Sequence, residues 1–355
     1  MDTYREPAEL VEHLNILDDP ASGLSGAIVI YSTALGPAAG GCRLWHYDSA
    51  SAGHEDALRL AEGMAYKNAM AGLPLGGGKA VLRLPPGPFD RVKLFQAFGR
   101  AVEKLGGKYV TAEDVGTSVA DMEQVATATR HVAGLTQKSG NAGGDPSPWT
   151  ARGVYAAMVV AAERRLGKPL SECKVAIQGL GNVGGALAQM LFDSGATLIV
   201  ADPNPSLSVR SSSWYAAAEV VHVDAILGVK ADIFAPCALG GVLNEHSISK
   251  LHVSVVCGGA NNQLASKSDG LRLTNRGILY APDYVVNAGG IVNVAAEYLG
   301  WGEDEVVAQI DKIAPRLIEV MNAADEWCVS TAAAANRIAQ RAIADGAKFA
   351  TRWAA

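Results

Sequence analysis

The segment Gly179-Leu-Gly-Asn-Val-Gly184 has the residue types and spacing to cradle a diphosphate. It follows Lys174-Val-Ala-Ile-Gln178, a short buried-strand pattern, and opens a stretch in which Val183, Leu187, Met190 and Leu191 share one helical face. Gly195 closes that helix, and Thr197-Leu-Ile-Val-Ala201 reads as the next strand, ending at Asp202. Strand, glycine turn, helix, strand and terminal acid together form a dinucleotide-binding fingerprint of the Rossmann type. Gly179 permits the tight turn, Gly181 lets the backbone approach the pyrophosphate, and Gly184 lets the helix pack close to the sheet. The helix N-terminus, at Asn182 and Val183, supplies oriented N–H groups and a positive dipole end. Asp202 can accept hydrogen bonds from both adenine-ribose hydroxyls and would repel a 2′-phosphate, which favours NAD over NADP. Arg210 and the serines at 206, 208 and 211–213 are compatible with the other choice.

Three further residues have chemistry without a local motif to settle it. Lys67 continues an otherwise apolar row with Leu60 and Met64, so it either snorkels to water at a helix end or points into a pocket. Lys79 follows Gly76-Gly-Gly78, which reads either as room for a ligand or as a surface hairpin. A phosphate-binding P-loop is excluded there, because Gly72 is misplaced and Ala80 stands where a magnesium-binding Ser or Thr is needed. Asp114 ends a strand and precedes a helix, a usual place for cleft residues in α/β folds and also for a plain turn aspartate.

The elements that must position these residues alternate between strand and helix. Strands are expected at Ala27–Tyr31, Lys79–Leu84 and Lys108–Ala112, and helices at about His54–Ala71 and Phe89–Leu105. Glu55 and Asp56 would stand in a first helical turn. A capping box at Ser118–Asp121 starts another helix, and Thr150 would cap a helix over Ala151–Arg165. The Gly/Pro/Ser-rich stretch 139–148 is the linker candidate, and the Ala-rich C-terminal stretch from about Asp304 to Phe349 is expected to be helical.

The 355 residues suit two domains at ~150 residues each. With 49% hydrophobic and 19% charged residues, the chain is expected to be globular rather than disordered. A net charge of −6 offers no basic field for nucleic acid or an anionic membrane. No apolar run approaches the ~20 residues of a membrane span, and the polar start suggests no signal peptide. Five scattered cysteines suggest neither a disulfide framework nor a metal site, so the expectation is a cytoplasmic protein without metal.

Taken in order, Gly36-Pro-Ala-Ala-Gly-Gly-Cys-Arg43, Met64-Ala-Tyr-Lys-Asn-Ala-Met70, Gly72-Leu-Pro-Leu-Gly-Gly-Gly-Lys79 and Thr111-Ala-Glu-Asp-Val-Gly116 resemble the substrate-domain signatures of the glutamate/leucine/phenylalanine/valine dehydrogenase family. Ala235-Pro-Cys-Ala-Leu-Gly240, Gly259-Ala-Asn-Asn-Gln263 and Val286-Asn-Ala-Gly-Gly290 resemble its nucleotide-domain signatures. The resemblance implies an α/β fold of two domains separated by a cleft, the second a Rossmann-type dinucleotide-binding domain. Residues 1–149 with 325–355 would form the substrate and oligomerisation domain, and 150–324 the NAD domain. It further implies a homo-oligomer that reversibly deaminates an L-amino acid to a 2-oxo acid and ammonia with NAD.

By motif, Lys79 and Asp114 would be catalytic and Lys67 would bind the substrate carboxylate. Gly40, Gly41 and Asn262 would also meet the substrate. Thr150, Ala238, Asn261 and Asn287 would join Gly179, Gly181, Asn182, Val183, Gly184 and Asp202 around NAD. Two lysines enclosed together repel, and desolvation adds to the effect, which suits a lysine base.

The implied side-chain pocket, Ala39, Gly40, Ala112, Ile291 and Val294, is apolar or small and argues against glutamate. Lack of bulk at Ala39 points to L-phenylalanine, while Ala112 looks more leucine-like; leucine or valine is the alternative substrate. A non-catalytic NAD-binding module would not need Lys67, Lys79 and Asp114 together. A 2-hydroxy-acid dehydrogenase would need a histidine–carboxylate motif that none of the seven histidines provides.

Overall fold

The computed structural model describes residues 11–136 and 144–353, with side chains to residue 346. The chain divides into two compact units. Residues 1–144, 291–306 and 339–355 form the first, and 145–290 with 307–338 form the second. The division after Gly144 falls inside the Gly/Pro/Ser-rich stretch, of which 139–143 lie outside the described residues. The last part of the chain rejoins the first unit at Ala339, with 291–306 added, so these limits differ from 325–355.

The first unit contains β1 (His13–Asp19), β2 (Leu24–Ser32), β3 (Ala38–Ala39), β4 (Cys42–Trp45), α1 (Ala50–Ala71), β5 (Gly76–Arg83), α2 (Arg91–Glu103), β6 (Tyr109–Val110) and α3 (Val119–Ala126). Its sheet runs β1-β2-β5-β3-β6, with β4 also paired to β5. β1 and β2 are antiparallel, as are β2 and β5, while β3 and β4 lie parallel to β5. Phe95 and Phe98 of α2 and Met122 of α3 close one face against Ile28, Ile30, Ala80 and Leu82. Each fully buried phenylalanine contributes ~1.5–3 kcal/mol. Side-chain alternation along β5 then turns Gly77 and Lys79 to the opposite face, where α1 packs and a Cβ on Gly77 would lie 2.2 Å from Ala65 N.

Two local expectations change here. Ser49 caps α1 by accepting from Ala52 N at 3.1 Å, so the helix starts four residues before His54 and Glu55 and Asp56 are not in its first turn. Gly76-Gly-Gly78 is buried strand rather than a surface hairpin. A Cβ at Gly76 would come within 2.0 Å of Ser32 O, and one at Gly78 within 2.9 Å of the Tyr109 ring.

The second unit holds α4 (Ser147–Leu166), β7 (Lys174–Gln178), α5 (Asn182–Asp193), β8 (Thr197–Ala201), α6 (Leu207–Arg210), α7 (Ser213–Ala217), β9 (Glu219–Val220), β10 (Ile233–Pro236), α8 (Glu245–Lys250), β11 (Val255–Val256), α9 (Lys267–Asn275), β12 (Leu279–Tyr280) and α10 (Asp283–Val286). The chain continues through α11 (Gly289–Leu299), α12 (Glu303–Ile310), α13 (Ile313–Trp327) and α14 (Thr331–Trp353). Its sheet, in the order β12-β11-β10-β7-β8-β9, is parallel throughout. The order reverses between β7 and β10, which marks the switch point where such sheets bind ligands. α4 begins at Ser147, so Thr150 is inside its first turn, donating to Pro146 O at 3.0 Å, and does not cap it. Among the described residues, no helix is long and apolar enough to cross a membrane.

Candidate active site

In the first unit, Lys79 rises from the middle of β5 and is only 4% exposed. Its Nζ lies 3.0 Å from Asp114 Oδ2. Asp114 reaches it because Gly41 has no side chain: a Cβ there would stand 2.9 Å from Asp114 Cβ and 2.6 Å from Glu113 O. Thr117 Oγ1 accepts from Asp114 N at 2.8 Å and donates to Cys42 O at 3.0 Å, fixing the loop on β4.

Arg43 of β4 joins the pair. Its Nε donates to the same Asp114 Oδ2 at 3.0 Å, and its Nη1 donates to Asp56 Oδ2 at 3.0 Å. Asp56 in turn accepts from Tyr47 OH at 2.6 Å and from Arg59 Nη2 at 2.7 Å. Beside this chain lies a cavity of about 460 Å³ lined by Arg43, Trp45, Tyr47, Ala52, Asp56 and Val115. Burial pulls the Lys79 ammonium below its ordinary pKa, and the charge of Asp114 only partly offsets this. Burial pushes Asp114 the other way, but Lys79 and Arg43 outweigh it and hold the carboxyl below the usual range. Asp56 is held low, against its burial, by the Tyr47 and Arg59 hydrogen bonds and the Arg43 charge. The result is a lysine inclined to lose its proton next to an ionised carboxylate, the arrangement general acid–base chemistry requires.

The other expected residues of this unit stand on α1, β3 and α11 and on the segments after β3 and β6. Lys67 is half-buried on α1. Asn68, beside it, is fully buried and donates to Gly76 O at 2.6 Å and Ala39 O at 3.4 Å. The amide and carbonyl of Gly40 are both engaged, with Val110 O and Tyr109 OH, so Gly40 contributes shape. A Cβ on it would lie 1.8 Å from Gly78 O. Ala39 is buried and Ala112 half-buried. Ile291 and Val294 are half-buried on α11, about two turns and one turn before Glu297, which accepts from Gly134 N at 2.9 Å and Leu135 N at 3.1 Å.

In the second unit, a cavity of about 430 Å³ is lined by Leu180, Gly181, Asn182, Asp202, Asn204, Ser206, Ser208 and others. Gly179 has φ 93°, and a Cβ on it would meet Ala238 Cβ at 2.8 Å. A Cβ on Gly184 would lie 2.0 Å from Gly179 O, whereas nothing stands within 4 Å of one on Gly181. That open side leaves room for a diphosphate at the start of α5. The Asp202 carboxylate accepts from Leu180 N and Asn204 N, each at 2.7 Å, which fixes both oxygens at the edge of the cavity. Val183 packs on Gly259, where a Cβ would approach Val183 Cγ1 to 2.6 Å. Asn287 is buried and donates to Asn261 Oδ1 at 2.9 Å, while its own Oδ1 has no partner. Asn262 is exposed in a left-handed conformation, φ 51°. Gly290 lies under Thr150, whose Oγ1 would be 2.6 Å from an added Cβ. A cavity lined by glycine backbone and a fixed carboxylate fits the diphosphate and ribose of a dinucleotide, and the unpartnered buried Oδ1 of Asn287 is a further acceptor in the same unit.

Arg43, Tyr47, Asp56 and Asn68 are the contributors the sequence reading missed. Arg43 stands in a quoted motif without a role, and Asp56 was read only as a dipole-favoured acid; no local pattern links them to residues 79 and 114.

Residues 12–131 match the model for the Glu/Leu/Phe/Val dehydrogenase dimerisation domain, and residues 203–350 match the model for Glutamate/Leucine/Phenylalanine/Valine dehydrogenase. The leucine dehydrogenase of Thermoactinomyces intermedius is 45% identical over 94% of this chain and 90% of its own. The valine dehydrogenase of Streptomyces albus is 46% identical over 94% and 92%. The crystal structure of L-tryptophan dehydrogenase from Nostoc punctiforme superimposes with a TM-score of 0.85 at 36% identity, covering 96% of this chain and 98% of that one. With this agreement over nearly its whole length, the chain belongs to the Glu/Leu/Phe/Val dehydrogenase family and is an oxidoreductase acting on the CH–NH2 group of amino acids, with a nicotinamide cofactor.

Proposed function

We propose that the protein catalyses the reversible, NAD-dependent oxidative deamination of a branched aliphatic L-amino acid, leucine or valine. The observation that carries the reaction is the buried Lys79–Asp114 pair at 3.0 Å. The substrate class is supported by the leucine and valine dehydrogenases at 45% and 46% identity and by an apolar or small pocket set. This replaces the phenylalanine preference suggested by Ala39. Absence of bulk at one position adds room without dictating what fills it, and a methylene or two discriminates by only ~1–3 kcal/mol. An aromatic substrate is the second reading, favoured by Ala39 and by the 36%-identical tryptophan dehydrogenase, while Ala112 stands against it.

In this scheme Lys67 holds the substrate carboxylate. A bound nicotinamide would supply the acceptor for the hydride lost from the substrate Cα. Asp114 first takes a proton from the substrate ammonium. Lys79 then takes a proton from water as its oxygen adds to the imine carbon left by hydride loss. Asp114 returns its proton to the nitrogen and accepts that of the new hydroxyl as the C–N bond breaks and ammonia leaves. Amino acid, water and oxidised dinucleotide thus give 2-oxo acid, ammonium, reduced dinucleotide and one proton. Gly181, Asn182, Val183 and Asp202 seat the adenosine diphosphate half, with Ala238 beside Gly179. Asn287, Asn261 and Thr150 serve the nicotinamide half, and Asn262 the substrate. Asp202 disfavours a 2′-phosphate, which supports NAD over NADP.

The chain acts as a homo-oligomer, in keeping with the dimerisation-domain match and with Leu14 and Ile16 exposed on edge strand β1. Sedimentation at equilibrium tests this, and a monomer at micromolar concentration contradicts it. Five free cysteines support a reducing, cytoplasmic setting. The deciding assay follows absorbance at 340 nm with NAD or NADP and leucine, valine, phenylalanine, tryptophan or glutamate. Highest kcat/KM with leucine or valine and NAD is expected. A clear preference for phenylalanine or tryptophan selects the aromatic reading, and no turnover with any of them removes the enzymatic scheme.

A further inference from the structure

We propose that Arg43 is a positioning residue for this reaction: it holds Asp114 by one carboxylate oxygen, leaves the other free for the substrate, and supplies the counter-charge that lets Lys79 release its proton. The inference rests on the assignment of Lys79 and Asp114 as the proton-handling pair.

The geometry is specific. Both cations converge on Oδ2 of Asp114, Lys79 Nζ and Arg43 Nε each at 3.0 Å. No hydrogen bond is made to Oδ1 among the described residues, so that oxygen is left to meet a substrate nitrogen. Arg43 cannot drift, because Asp56 Oδ2 takes its Nη1 at 3.0 Å and Asp56 is itself fixed by Tyr47 and Arg59. The planar guanidinium suits this two-carboxylate bridge, which a lysine could not span with the same geometry.

The charges explain why the bridge matters. A buried Lys–Asp pair with no third partner resists losing its proton, since deprotonating the lysine strands a carboxylate in a poorly solvated site. Here Asp114 keeps Arg43 when Lys79 becomes neutral. Among the described residues, the groups acting on the pair include Arg43 and the buried Cys42 thiol on β4 and the buried Tyr109 hydroxyl on β6, which burial keeps neutral, with Asp56, Tyr47 and Arg59 behind Arg43. Cys42 stays protonated, its pKa raised well above normal by burial, so it adds no charge of its own. Asp121 and Arg91, the more distant charges felt by Cys42, are paired with each other at 2.6 Å and largely cancel. Arg43 is therefore the cation that both repels the Lys79 proton and retains Asp114 as an anion.

The test compares Arg43→Gln, which keeps an N–H donor without charge, with Arg43→Lys, which keeps charge without the bidentate reach. The readout is the pH profile of kcat/KM for oxidative deamination, with folding checked by thermal melting. Arg43→Gln should lose about tenfold or more on the acidic side of the optimum, and the loss should shrink to a few-fold at alkaline pH, where Lys79 is neutral in either protein. Arg43→Lys should regain the acidic limb while kcat stays low at all pH, because Asp114 is no longer held by one oxygen. A loss in Arg43→Gln that is the same at every pH overturns the counter-charge role, as does an acidic limb in Arg43→Lys that matches Arg43→Gln. If Arg43→Gln does not fold, Arg43→Lys decides alone: an acidic limb at the wild-type position with lowered kcat supports the inference, and a displaced limb or unchanged kcat overturns it. Lys79→Ala separates the two levels. Near-normal turnover there removes the underlying assignment, whereas a dead Lys79→Ala with an unaltered Arg43→Gln profile removes only the role of Arg43.

Discussion

Around Lys79 the first unit lines up five charged side chains, Arg59, Asp56, Arg43, Asp114 and Lys79, in alternating sign. Around Gly184 the second unit offers mainly backbone, with a single carboxylate, Asp202, fixed by two amides. On the proposed reading the first site works by shifting proton affinities, so it needs burial and matched partners for each charge. On the same reading the second works by shape and by the dipole of a helix end, so it needs the absence of side chains more than their presence. The same residue type follows both logics. Gly41 and Gly77 let charged side chains and a helix come close to a sheet, while Gly181 leaves space for something outside the protein.

This contrast is most easily broken at Lys79. Replacement by Ala should lower kcat by about 10²–10⁴-fold or more, the range for a lost general base, while NADH binding, read by its fluorescence, stays within a few-fold. If nucleotide affinity fell in parallel with turnover, the two sites would not be separable in this way. A second large effect is expected at Gly184. Gly184→Val should destabilise the protein by ~1–3 kcal/mol or more, because Gly179 O stands 2.0 Å from where its Cβ must go, and NADH binding should be lost with it. Gly181→Ala sharpens the point: with open space there, the melting temperature should hold while NADH affinity drops. Equal destabilisation by both substitutions would contradict the distinction between packing glycines and ligand glycines.

The difference between the sites also explains what could be read from the sequence. The dinucleotide cradle is encoded in one run from Lys174 to Asp202, and the limits expected for β7 and β8 are those observed. Its signal is local because strand, turn and helix are consecutive. The charged chain draws on positions 43, 56, 59, 79 and 114, which only folding brings together. Family motifs pointed to Lys79 and Asp114, but Arg43 and Asp56 carry no periodicity that would pair them. The glycines at 76–78 were ambiguous for a physical reason: missing side chains look the same whether the space is filled by a ligand or by α1. Thr150 and the start of α1 were misplaced because Pro146 and Ser49 open their helices a turn earlier, and helix starts depend on which of several polar residues the fold can use.

A smaller effect is expected at Asp202. Asp202→Ser should raise the NADP-to-NAD ratio of kcat/KM by about tenfold or more, since a like charge no longer faces the 2′-phosphate. Loss of the acceptors for Leu180 N and Asn204 N should cost about 1 kcal/mol of stability. An unchanged cofactor ratio would mean that Asp202 serves the turn and not the ribose.

The smallest effect is the one in which activity and stability should part. Lys79 has a pKa lowered by burial in the folded protein, so the unfolded chain binds its proton more tightly. Below the folded pKa, the charged lysine is a net liability that Asp114 does not fully offset. Stability then rises with pH through the window between the folded and the ordinary lysine values, as the folded protein sheds that proton first. Lys79→Met keeps the stem, removes the charge and leaves Asp114 paired with Arg43 at 3.0 Å. Its melting temperature at neutral pH should equal or exceed that of the wild type, although turnover is abolished, and the advantage should shrink as the pH becomes alkaline. A fall of several degrees at neutral pH would show that the Lys79–Asp114 bond stabilises the fold, and the burial of Lys79 could then no longer be ascribed to its chemistry alone.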